Sequence, residues 1–98
     1  MIKDYRVSLL VSEAELGDGI DQTVRPLQAK LVTAKTLERA KQKAIKVAKA
    51  HSEMGPKMLN SKQWHQNDND EAVRRYFYID EKAKIENIYF IKVAEIMR

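Results

Sequence analysis

The sequence predicts an α+β fold: an antiparallel sheet of about four strands in the order β-β-α-β-β, with one amphipathic helix packed on one face. Three observations carry this. Apolar residues alternate with polar ones through residues 5–11 and 27–32, the two-residue period of a half-buried strand. After Thr36 the period becomes that of a helix. Residues 72–79 and 85–96 are rich in aromatic and β-branched side chains, which suit a pleated sheet. At 98 residues the chain is sized for a single domain, 1–98, with one small core.

In the first strand Tyr5, Val7, Leu9 and Val11 share a face. Residues 12–23 then hold Gly17-Asp18-Gly19 and four acids, Glu13, Glu15, Asp18 and Asp21, and read as a loop or wide hairpin turn. The second strand places Leu27, Ala29 and Leu31 on one face and Gln28, Lys30 and Val32 on the other. Pro26 has no amide hydrogen to donate, which puts it at a sheet edge or a strand start.

Thr36 suits an N-cap, with Glu38 in the first turn. Residues 35–51 contain neither glycine nor proline. At 100° per residue Leu37, Ala40, Ala44, Val47 and Ala48 form the buried face, flanked by Ile45 and His51. Lys35, Arg39, Lys43, Lys46 and Lys49 lie opposite, with Lys41 near the border. Gly55-Pro56 marks a stop. Residues 57–71 connect to the sheet, with a short strand expected near Trp64. The last two strands are joined by a hairpin-sized link at residues 80–84. The final strand is apolar on both faces, as expected of a central strand covered twice or lying in an interface.

Composition removes whole classes of function. There is no cysteine, hence no disulfide framework and no thiolate zinc site. The charged start of the chain does not suit a signal peptide, and no apolar run approaches the ~20 residues that cross a bilayer; a cytoplasmic location is expected, without membrane contact. Gly17-Asp18-Gly19 opens like a dinucleotide loop, but Gln22 stands where the third glycine belongs. Asp68-Asn69-Asp70 opens like a calcium loop, but Val73 and Ile79 occupy the glycine and bidentate-acid positions. His51, His65, Asp68, Asp70 and Glu71 would need to converge to hold a metal. No nucleophile with an orienting partner is recognisable. The expectation is a protein without enzymatic activity, metal or cofactor.

Charge is localised. The chain carries 18 basic and 14 acidic side chains, net +4, yet residues 31–60 alone carry seven basic and two acidic ones. A cationic helix face can neutralise phosphates or meet an acidic protein surface, although solvated lysine faces are also common in proteins that bind nothing. Arg74, Arg75, Tyr76 and Tyr78 set cations beside aromatics on a strand, an arrangement suited to bases or to a protein partner. The alternative places Phe77 and Ile79 in the core and the tyrosines on the other face. The glycines of the RNA-recognition strand motif are missing from this segment. Trp64, the only tryptophan, caps the core or, if exposed, anchors an interface.

The junction Val32-Thr33-Ala34-Lys35-Thr36-Leu37-Glu38-Arg39-Ala40-Lys41, within this order of elements, resembles small phage and mobile-element proteins, including some type I anti-CRISPR proteins. The resemblance implies a stoichiometric inhibitor or modulator of a host nucleic-acid-handling complex, acting in the cytoplasm of the host cell, and carries no catalytic residues. The candidate binding residues are therefore Lys35, Arg39, Lys43, Lys46, Lys49, Trp64, Arg74, Arg75, Tyr76 and Tyr78. The expected partner is a protein or ribonucleoprotein complex. The alternative is direct binding of DNA or RNA by the lysine-rich face. A sheet with an open edge and a two-faced final strand is also suited to form a homodimer.

Overall fold

A computed structural model describes residues 1–15, 23–58, 60–61, 63–67 and 70–96. Along the chain run β1 (Lys3–Glu15), β2 (Thr23–Ala34), α1 (Leu37–Ala50), a short 3₁₀ turn (Gly55–Lys57), β3 (Asn60–Ser61), β4 (His65–Gln66), β5 (Ala72–Asp80) and β6 (Ile85–Glu95). The fold is α+β, and every strand pairing is antiparallel. The four long strands lie in the order β2-β1-β6-β5, with β3 and β4 both on the outer side of β5. These two-residue strands flank Trp64, where one short strand was expected. They form one interrupted edge strand, because Asn60 pairs with Phe77 and, after a slip of one residue, His65 pairs with Val73. The Gly17-Asp18-Gly19 loop, together with Asp68 and Asn69, lies outside the described residues.

The core lies between α1 and one face of the sheet. Tyr5, Val7, Leu9 and Val11 of β1 face α1 together with Tyr89, Ile91 and Val93 of β6 and Ala72 and Tyr76 of β5. The helix meets them with Ala40, Ala44 and Ala48, all fully buried. Three alanines at i, i+4 spacing let the helix backbone sit close to the sheet, where the larger strand side chains fill the space. Thr36 is the N-cap, its hydroxyl accepting from the Arg39 amide at 3.2 Å. Leu37, expected on the buried face, is 41% exposed; it opens the helix, ahead of the alanines that reach the sheet.

Two further expectations are corrected by register. Pro26 does sit on an edge strand, but at a bulge: Gln28 pairs with Leu9 and Pro26 with Leu10, leaving Leu27 without a partner. The extra residue switches the faces of β2. Leu27 packs against the core, whereas Leu31, two steps of alternation away, is 66% exposed. On β5, Tyr76 pairs with Tyr89 and joins the core at 4% exposure, while Ile79 is 53% exposed. The core reading of Phe77 and Ile79 is thus reversed.

The β5–β6 link turns through residues 81–84, with Lys84 at φ +54°. A Cβ at Gly55 would collide with the Lys49 carbonyl, so glycine is needed there for close approach to the end of α1. Among the described residues no helix is long and apolar enough to cross a membrane.

Candidate functional site

The outer face of α1 gathers most of the candidate cations. Lys35, Arg39, Lys43, Lys46 and Lys49 are all exposed. The last four lie on α1, a helix ~21 Å long at 1.5 Å per residue, and Lys35, expected on the helix, instead precedes its N-cap Thr36. The buried alanine stripe determines this, since residues opposite Ala40, Ala44 and Ala48 must face water. Among the described residues no carboxylate pairs with Lys35, Arg39, Lys46 or Lys49; the salt bridge of the helix joins Lys41 to Glu38 at 2.9 Å. Lys35, Arg39 and Lys43 line a groove of about 300 Å³ together with Ile2, Thr33 and Ala34. Its rim is held by Lys43, whose ammonium donates to the Thr33 carbonyl. Ile2 and Thr33 were not expected in a site; only the packing of α1 on the end of β2 brings them to the lysines.

The remaining candidates do not join this face. Trp64 is half-buried against the core. The Lys41 ammonium lies 5.7 Å from its ring centre and the Arg74 guanidinium 5.9 Å, so two cations flank the indole. Arg74 also lies 5.5 Å from the ring of Tyr76. Burial pushes the Tyr76 hydroxyl above its usual range, with Arg74 pulling the other way. Tyr78 is half-buried beside the core under the Lys57 ammonium, 5.2 Å away. Arg75, one residue out of phase with Arg74, points to the opposite side of the sheet. The expected cation–aromatic surface on β5 is therefore split: Arg74, Tyr76 and Tyr78 are turned toward α1, and Arg75 away from it.

Near the far end of α1 lies a polar cluster that sequence reasoning missed. One guanidinium nitrogen of Arg25 meets Glu13 at 2.9 Å and Glu53 at 3.0 Å. The Tyr89 hydroxyl donates to Glu53 at 3.4 Å, and Asn87 donates to that hydroxyl at 3.4 Å. The hydrogen bond from Arg25 holds the Glu53 carboxyl below its ordinary range against the opposing effect of burial. No signal in the sequence links Glu13, Arg25 and Glu53, because hairpin pairing and the turn after α1 bring them together. This cluster fastens the segment after the helix to the sheet. His51 has a local role beside it: its Nδ1 accepts from the amides of Glu53 and Met54, both at 3.2 Å. His65 is exposed on the interrupted edge strand. Among the described residues no three His, Asp or Glu side chains are gathered to hold a metal.

Set beside protein-family models, curated proteins and solved structures, the chain finds no match.

Proposed function

We propose that this protein is a non-enzymatic binding protein that docks stoichiometrically onto an acidic surface of a protein or ribonucleoprotein complex through the outer face of α1. One observation carries the reading: Arg39, Lys46 and Lys49 on the outer side of α1, and Lys35 just before its N-cap, stand exposed without a carboxylate partner among the described residues. Cations concentrated in this way accelerate encounter with an acidic partner and set its orientation. Tyr76 and Tyr78 of β5 are packed toward the core, and Phe77 lies on the side of the sheet away from α1, which leaves the cationic face without a platform on which bases would stack. A protein surface therefore suits it better than a single strand of nucleic acid. The resemblance to small phage and mobile-element proteins supports a nucleic-acid-handling complex as the partner, with inhibition or modulation by occupancy.

The test is affinity capture from nuclease-treated lysate with the wild-type chain and with an Arg39→Glu, Lys46→Glu, Lys49→Glu variant. All three positions are exposed, so the variant is expected to fold. A partner captured by the wild type and lost by the variant, with an affinity that falls as salt rises, is the expected result. Retained capture by the variant would overturn the reading. A salt-sensitive gel shift with naked DNA or RNA, abolished in the variant, would establish direct nucleic-acid binding instead.

A further inference from the structure

We infer that the sheet face opposite α1 binds a second copy of this chain, stacking two sheets into a four-layer α-β-β-α dimer. The face is not covered by any described element. It presents Leu10, Pro26, Val24, Phe90 and Ile88, with Val24 60% exposed, and on β5 Arg75 beside Phe90 and Phe77 beside Ile88. β6 is apolar on both sides, and α1 covers only one of them. Four strands at ~4.8 Å spacing and about four two-residue steps of ~6.8 Å give a face of roughly 500 Å² in projection. Side-chain relief enlarges this, so two such faces would bury on the order of 1,200 Å², at the lower end of stable interfaces.

The occupant is identified by self-complementarity. Across the sheet, Pro26, Leu10 and Phe90 form one row and Val24, Ser12 and Ile88 the next. Lys92 lies one step beyond the first row on β6, and Glu86 one step beyond the second. Among the described residues neither has an ion-pair partner. Consider a two-fold axis in the plane between the stacked sheets, perpendicular to the strands and passing between these rows. It brings Phe90 of one copy against Ile88 of the other, Leu10 against the small Ser12, Pro26 against Val24, and the Arg75 guanidinium against the Phe77 ring, a cation–aromatic contact. The same axis sets Lys92 opposite Glu86 twice, once on each side. Two opposite charges equidistant from the midpoint of a largely apolar face are matched reciprocally by an isologous contact. Aligned packing of sheets keeps strands within about 30°, close enough for these long side chains to meet. Because α1 lies on the other side of the sheet, this contact and the cationic face do not compete.

Sedimentation equilibrium on the wild type, Lys92→Glu, Glu86→Lys and the double variant tests this. The wild type is expected to be a dimer, each single reversal to weaken it by about tenfold or more, and the double reversal to restore it. Circular dichroism monitors the fold. If a single reversal fails to fold, Val24→Glu, at an exposed position, must weaken the dimer in its place. A wild type that stays monomeric at millimolar concentration overturns the inference and leaves the face to a different protein. A dimer indifferent to the reversals overturns it as well, and points to edge pairing through β2.

Discussion

Replacing Ala44 with leucine tests the packing that aims the cationic face. Ala44 is fully buried between Ala40 and Ala48 and packs on a sheet face filled by Val7, Leu9, Tyr89 and Ile91. Leucine adds three carbon atoms where the helix backbone is held close by the absence of side-chain bulk. Overpacking of this kind costs roughly 1–3 kcal/mol, since either α1 lifts from the sheet or the neighbouring side chains leave their rotamers. In a domain of this size each 1 kcal/mol moves Tm by roughly 4–8 °C, so a cost of ~2 kcal/mol lowers Tm by about 8–16 °C. Thermal melting followed by far-UV circular dichroism measures this, with Lys46→Leu on the exposed face as the internal comparison. Lys46→Leu should stay within ~0.5 kcal/mol of the wild type. Equal melting of Ala44→Leu and the wild type would refute the alanine-stripe argument, and so would a larger loss in Lys46→Leu.

Three further outcomes follow from the same contacts. Glu53→Gln should destabilise the protein at neutral pH: the folded-state carboxyl is held below its ordinary value, so its contribution is present above the unfolded carboxylate range and is lost as pH falls through the folded value. Urea midpoints measured from neutral to acidic pH should converge for the two proteins, and a constant gap would contradict the Arg25 pairing. Iodide should quench Trp64 more strongly in the wild type than in Lys41→Gln, because the flanking cations attract the anion; identical quenching would show that Lys41 does not sit over the ring. Gly55→Ala should cost roughly 1–3 kcal/mol in urea unfolding through its clash with the Lys49 carbonyl, and a neutral result would place the turn farther from α1.

Local rules made much of the fold legible. Thr36 was readable as an N-cap because capping depends on a few consecutive residues, and the extent of α1 because helix period and a Gly-Pro stop are local properties. The cations of α1 were legible for the same reason: once the apolar stripe of a helix is known, the opposite face is exposed. Strand faces were harder to read. Residues 74–79 carry bulky or apolar side chains in both phases, so alternation alone could not say whether Tyr76 or Phe77 faces the core. Pairing with β6 decided it by placing Tyr76 beside Tyr89. The bulge at Leu27 decided β2 in the same way, inverting the face of every residue beyond it.

By itself the sequence determined the class of the fold, the single helix and the cationic stripe along it, because each follows from periodicity and charge within one segment. Tertiary structure alone decided which strand faces are buried, that Trp64 lies close to both Lys41 and Arg74, and that Glu13, Arg25 and Glu53 meet. It alone also left one face of β6 uncovered by any described element, with Lys92 and Glu86 at equal distances from its centre. These features depend on contacts between residues far apart in the chain, and such contacts exist only once register and the placement of α1 have been set.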